Sequence, residues 1–364
     1  SLRQPICARK LGGPKRPGMS TAMWASVARR GQPALPSMTA APRRRPALAA
    51  CAAGPRQRRR GLSSEAAAAS AGLGAAQAAR AAAPAFWRAH ALRLEEDAEG
   101  GGATFRAPCR DPHARLFAEA FLSPAARKAV AAAEGAEERS LAFSTRAAFL
   151  DRFVLDAVGK RIRQVVLLGS GTDTRPFRLD VPPQLTFTEV DALAVLEAKA
   201  AAAEAAGLHT RCAVRRVAVD VAAGEVADQL REALAPVVSS ARRAGILFLL
   251  DEALEAWPAS AQAEVLAAVA ALAPEGSTIV GPAPTTDAAA ALAEGGFGKM
   301  NIVNHLQLRK IFGAAVPEGT AMLVAMSGPQ ESPGPRPVGD RGGDGGEGTG
   351  GGGGGGSRAR ELNF

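Results

Sequence analysis

The chain has 364 residues with 44 Lys or Arg against 35 Asp or Glu, but its first 64 residues hold 14 of those cations and no acid, which leaves the remainder at a net charge of −5. The basic excess therefore sits on a leader, and with no Tyr in the chain a base-stacking nucleic-acid surface is not expected. Four scattered cysteines without a C-x-x-C pair give neither a disulfide framework nor a zinc site, and the lack of any apolar run near about 18 residues argues against a membrane-spanning helix.

Residues 1 to 64, rich in Arg, Ala, Ser and Pro, have the composition of a mitochondrial or plastid transit peptide, so an organellar location is expected. The stretch Leu48 to Ala52 looks plastid-like and Arg60 to Ser64 mitochondrial, which leaves the address open. The chain opens on Ser1, so it reads either as a piece or as a product translated from Met19 or Met23. Residues 65 to 104 read as an Ala-rich linker with a loose helix, and 105 to 327 as the folded domain. Residues 328 to 364 read as a Gly-rich tail with too little apolar surface to fold.

Within the domain, Asp111-Pro112 predicts a helix start, since Asp caps free N–H groups and Pro fits a first turn. Leu116, Phe117, Ala120 and Phe121 follow at helical spacing. A second helix is expected from about Arg139 to Val158. Val165 to Leu168 is an apolar run short enough for a strand buried on both faces. It ends in Gly169-Ser170-Gly171, where glycines allow a sharp turn and close approach of a ligand. A second strand, Leu185 to Val190, ends at Asp191, 20 residues after Gly171. That spacing puts an acid beside a ribose in nucleotide-binding α/β folds.

A dinucleotide fingerprint would need a third glycine, yet position 174 is Thr, and Asp173 adds charge that repels a pyrophosphate. S-adenosyl-L-methionine has no phosphate and carries a sulfonium and an ammonium, which an acidic turn suits. The segments Gly169-Ser170-Gly171-Thr172-Asp173-Thr174-Arg175 and Glu189-Val190-Asp191, with Val195 and Lys199, resemble the leucine carboxyl methyltransferase family of S-adenosyl-L-methionine-dependent O-methyltransferases. The resemblance runs from about residue 110 to 326. It implies a doubly wound, Rossmann-like α/β fold with a seven-stranded methyltransferase sheet and an N-terminal helical cap.

The resemblance also implies a cofactor set: Arg146 for the methionine carboxylate, Gly169, Gly171 and Asp173 in the turn, Asp191 at the ribose, Asp220-Val221 at the adenine edge, and Glu252 under the methionine. Further elements follow as a helix over 192 to 206, a strand over 213 to 219, a helix over 225 to 238 and a strand over 246 to 250. After these come a helix over 261 to 272, a strand over 277 to 281 and a helix over 287 to 293. The chain then closes with a strand over 299 to 303, a helix over 305 to 312 and a strand over 320 to 325.

The sequence departs from the family at Asp251, Glu255, Ala256 and Trp257, on the acceptor side. The leading reading is methyl transfer to a carboxylate or hydroxyl of a small molecule or peptide, with no catalytic residue assigned. The alternatives are an S-adenosyl-L-methionine-binding protein without activity, and a nicotinamide-dependent oxidoreductase. The last is disfavoured by Thr174 and by the absence of a Tyr for a Tyr-Lys pair.

Overall fold

A computed structural model describes residues 73–99, 105–220, 225–241, 244–251, 257–313 and 316–328. The leader 1–64, the tail beyond Gly328, and Val221, Glu252 and Glu255 lie outside the described residues. Four helices come first: α1 (Ala75–Glu99), α2 (Ala114–Phe121), α3 (Pro124–Ala131) and α4 (Ala136–Gly159). The alternating part follows as β1 (Gln164–Leu168), α5 (Arg175–Arg178), β2 (Thr186–Asp191), α6 (Leu193–Ala205), β3 (Ala213–Ala218), α7 (Val226–Ala241) and β4 (Leu247–Leu250). It continues through α8 (Ala259–Leu272), β5 (Thr278–Pro282), α9 (Thr286–Glu294), β6 (Lys299–Val303), α10 (His305–Phe312) and β7 (Met322–Met326).

The strands form one seven-stranded sheet in the order β3-β2-β1-β4-β5-β7-β6. All pairs are parallel except those of β7, which runs antiparallel to both β5 and β6. The order reverses between β1 and β4, and in open α/β sheets a crevice for ligands lies at such a point, at the carboxyl ends of the strands. Successive strand residues face opposite sides. Val166, Leu168, Phe248, Leu250 and Ile279 accordingly join one core with α7 and α8, and Val165, Leu167, Leu247, Leu249 and Val280 join another with α4 and α10.

A third apolar cluster brings the N-terminal helices onto the sheet domain. Ala82, Ala85, Phe86 and Trp87 of α1 pack with Phe117 and Phe121 of α2, Phe177 of α5, and Val195, Ala198 and Ala202 of α6. The linker reading of this stretch is therefore corrected for residues 75–99. Alanines disguised the packed face, because an Ala-rich helix shows little contrast between sides, yet small side chains let α1 lie close to its neighbours. Its Arg88 is buried and paired, which a linker would not require.

The helix expected at Asp111 begins three residues later, at Ala114, and its cap residue His113 makes no side-chain cap bond. The Asp111 carboxylate accepts from the His113 N–H at 3.1 Å, but it also accepts from Arg88 Nε at 2.9 Å and Thr174 Oγ1 at 2.6 Å. Asp111 thus receives a free N–H of the first turn, as expected of a cap, and also ties α1 and the Thr174 turn to this segment.

Candidate functional site

The site begins with the backbone after β1. Gly169 and Gly171 have φ values of 64° and 39°, which side-chain-bearing residues rarely adopt. The N–H groups of Gly169 and Ser170 donate to Val190 O at 2.8 and 3.1 Å, fastening the turn to the end of β2. A Cβ on Gly171 would stand 3.1 Å from Ala81 O of α1, so the glycine is needed for contact with the protein itself.

Asp191 completes the turn from the other side. Its Oδ2 accepts from Gly171 N at 2.7 Å and its Oδ1 from Ala192 N at 2.8 Å. Burial pushes its carboxyl above the usual range, against the two backbone donors and Lys199. Each carboxylate oxygen still has a second lone pair to offer.

In front of this turn lies a cavity of about 700 Å³, within the range of small-molecule and cofactor sites. Gly169, Gly171, Asp191 and Asp220 line it at the strand ends, with Val226, Leu230, Trp257 and Val265 forming an apolar wall. Four of the expected residues are thus brought together. Trp257 packs against the α7–α8 core, and its carbonyl accepts from Gln262 Nε2 at 3.0 Å. The opposite wall is a surface the sequence reading missed, made by Gln77, Arg80, Ala81 and Pro84 of α1. Among the described lining residues the charged side chains are Arg80, Asp191 and Asp220.

Arg146 and Asp173 do not line the cavity. Arg146 is buried in α4 with its guanidinium over the Phe143 ring at 5.3 Å. Asp173 is buried and accepts from Arg175 through both the backbone N–H, at 2.8 Å, and Nη1. Burial alone would raise its carboxyl, but Arg175, Lys199 and Arg88 outweigh it and hold the group at about 2. The acidic turn expected to repel a pyrophosphate is therefore neutralised inside the protein, and that argument is corrected. The argument from Thr174 stands, because α5 has only four residues and its N-terminus is too short to offer a helix dipole to phosphate.

The Asp-Thr-Arg triplet serves a buried ion network. Arg175 reaches Asp151 at 2.8 Å and Asp251 at 3.3 Å. Arg178 holds Asp151 through two bonds of 2.6 and 2.7 Å, a bidentate geometry that favours the pair. Arg88 joins Asp111 at 2.9 Å and Asp251 at 4.0 Å, and donates to Thr172 O at 3.2 Å. Asp251, a departure on the acceptor side, is thereby turned to two guanidinium groups and does not line the cavity. Burial pushes the nearby Cys109 thiol up to about 12, so it is no nucleophile. A second buried pair, Lys199 with Glu189 at 2.5 Å, joins α6 to β2, and Arg216 adds a contact to Glu189 at 3.2 Å.

Residues 75–247 match the family model described as leucine carboxyl methyltransferase. This stretch thus resembles the leucine carboxyl methyltransferase family. The match takes in α1, which the resemblance read from the sequence left out, and stops at the start of β4. A protein of Mycolicibacterium paratuberculosis named "Putative S-adenosyl-L-methionine-dependent methyltransferase" is 39% identical over 87 residues, 24% of this chain and 28% of that one. A protein of the same name from Saccharopolyspora erythraea is 31% identical over 171 residues, 46% of this chain and 58% of that one. The matched stretches thus span between about a quarter and three-fifths of these relatives' lengths. Among solved structures, an O-methyltransferase family protein from Burkholderia thailandensis aligns with 56% of this chain and 64% of its own at 15% identity and a TM-score of 0.34. In this matched segment, the glycine turn and the acid that ends β2 meet at the cavity, whereas the intervening Asp-Thr-Arg holds the turn from behind.

Proposed function

We propose that the protein is an S-adenosyl-L-methionine-dependent O-methyltransferase acting on a carboxylate or hydroxyl of a small molecule or peptide. The observation that carries this reading is the Asp191 carboxylate, fixed by the Gly171 and Ala192 N–H groups at the edge of the cavity. The donor set fits the cofactor. Asp191 offers lone pairs to two ribose hydroxyls, Asp220 an acceptor to the adenine amine, and Arg80 a guanidinium to the methionine carboxylate. When bound, the cofactor supplies a methyl group already activated on a sulfonium. The protein's part is then to hold the acceptor oxygen in line and exclude water, and such positioning contributes up to ~7 to 11 kcal/mol.

A carboxylate acceptor is ionised at neutral pH and needs no base. With Arg80, Asp191 and Asp220 given to the cofactor, the described lining has no further charged side chain to act as a base, which suits a carboxylate better than a hydroxyl, since a hydroxyl needs a base within hydrogen-bond reach. The capture of Asp251 by Arg175 and Arg88 supports activity over an inactive binder, because that acid does not oppose an anionic acceptor. Calorimetric titration with S-adenosylhomocysteine and with NAD tests the cofactor class, with binding of the first alone expected. Labelled S-adenosyl-L-methionine incubated with the full chain and an organellar extract should give a base-labile labelled product. Binding without product would favour the inactive reading. The leader is proposed to direct import, and a fluorescent reporter fused to residues 1 to 64 that stayed in the cytosol would exclude it.

A further inference from the structure

Helix α1 carries a proline in its interior, Pro84. Proline has no N–H to give to the carbonyl four residues earlier, and its ring pushes that carbonyl aside. The carbonyl so deprived is that of Arg80. Gln77, Arg80, Ala81 and Pro84, which all line the cavity, stand at i, i+3, i+4 and i+7, one face of a helix. A helical carbonyl points along the axis toward residue i+4, so the Arg80 oxygen lies between two lining residues, on the cavity side.

The next carbonyl accepts hydrogen bonds from outside the helix. Ala81 O accepts from both Thr172 N at 3.1 Å and Thr172 Oγ1 at 2.8 Å, directly beside Gly171. Ala81 O is engaged by the glycine turn, and by helix geometry the Arg80 carbonyl, one residue back, stands between the lining residues Arg80 and Pro84.

Resting on the cofactor reading above, we infer that the Arg80 carbonyl, bared by Pro84, is the acceptor for the ammonium of the cofactor's methionine end. The ammonium has three donors and no acceptor capacity, as in a lysine head group, so a carbonyl without its intrahelical donor is its natural partner. Arg80 would then read both ends of the zwitterion, its guanidinium taking the carboxylate and its backbone oxygen the ammonium. The proline has a purpose on this view, since any other residue at position 84 would donate an N–H to that oxygen.

The test uses the full chain, its Pro84→Ala variant, and three ligands: S-adenosylhomocysteine, its desamino analogue and 5′-methylthioadenosine, which lacks the whole amino-acid end. Alanine restores the N–H and favours the helix, and circular dichroism checks that the variant is folded. In the wild type, S-adenosylhomocysteine should bind about tenfold or more tighter than the desamino analogue, the scale of one charge-assisted hydrogen bond. In Pro84→Ala that ratio should collapse toward one while 5′-methylthioadenosine keeps its affinity within about twofold. An unchanged ratio in the variant, or an equal loss for all three ligands, overturns the assignment. A wild-type ratio near one overturns it without reference to any variant. If no adenosine ligand binds the wild type, the cofactor reading itself fails, which is a distinct result.

Discussion

Replacing Asp111 by Ala removes one carboxylate from the middle of the buried network and leaves three donors without it: Arg88 Nε, Thr174 Oγ1 and the His113 N–H. Asp111 and Arg88 are both almost fully buried, so water cannot replace the lost partner without rearrangement. Breaking one side of a buried ion pair costs ~3 to 5 kcal/mol, largely because the surviving charge stays desolvated. Arg88 keeps only the more distant Asp251 at 4.0 Å and a carbonyl, Thr172 O, at 3.2 Å. The expected loss is therefore about 4 kcal/mol, a large part of the ~5 to 15 kcal/mol available to a domain. Urea unfolding followed by tryptophan fluorescence measures it, since Trp87 is buried in α1. The double variant Asp111→Ala with Arg88→Met, which removes both charges, should recover at least about 1 kcal/mol of that loss. A single-variant loss under about 1 kcal/mol, or a double variant no better than the single, would refute the claim that an uncompensated buried charge sets the cost.

Asp191→Ala should weaken S-adenosylhomocysteine by about tenfold or more in calorimetric titration, because each hydroxyl bond to a carboxylate is worth ~1.5 to 3 kcal/mol; unchanged affinity would sink the ribose assignment. Since burial raises the Asp191 carboxyl and the ionised form is the double acceptor, affinity should also fall on mild acidification, before it would for an ordinary aspartate. Asp173 is shifted the other way and bears on folding. Its carboxyl is held at about 2 against an ordinary 3.8, so its contribution, on the order of 2 kcal/mol, is complete above pH 3.8 and is lost as pH falls toward 2. Unfolding curves across that window should be steeper in pH for the wild type than for Asp173→Asn. Removal of residues 1 to 72 should leave thermal unfolding cooperative, whereas a chain starting at residue 105 should lose it, because Arg88 and the Ala81 carbonyl go with α1.

The strands were legible because apolar runs such as Val165 to Leu168 and Leu247 to Leu250 are buried on both faces, although several ends lie a residue or two away from those read off the sequence. The cavity's strand-end residues were legible for a related reason, as glycine at a positive φ and an acid at the end of β2 have few substitutes. Asp173 misled because sequence shows a charge but not its partner, and Arg175, two residues on, points back to cancel it. The α1 wall was illegible because its partners lie far away in the chain. Ala81 meets Thr172 and Arg88 meets Asp111, contacts that no local periodicity encodes. Arg146 was assigned from the family pattern, and the structure buries it beside Phe143, outside the cavity lining.

The docking of α1 on the glycine turn also sets an order of events during synthesis. The hydrogen bonds that fix it join Ala81 to Thr172 and Arg88 to Thr172, separated by 91 and 84 residues. A ribosome adding ~5 to 20 residues per second needs several seconds to make that distance. Alanine-rich segments of this length reach partial helicity without tertiary support, so α1 is able to coil early and to meet Asp111, Phe117 and Phe121 soon after, yet its Ala81 carbonyl waits for Thr172 until β1 and its turn emerge. The nascent chain therefore passes through an interval in which the α1 face that will cover the glycine turn is still exposed, and that interval is when a chaperone would find it.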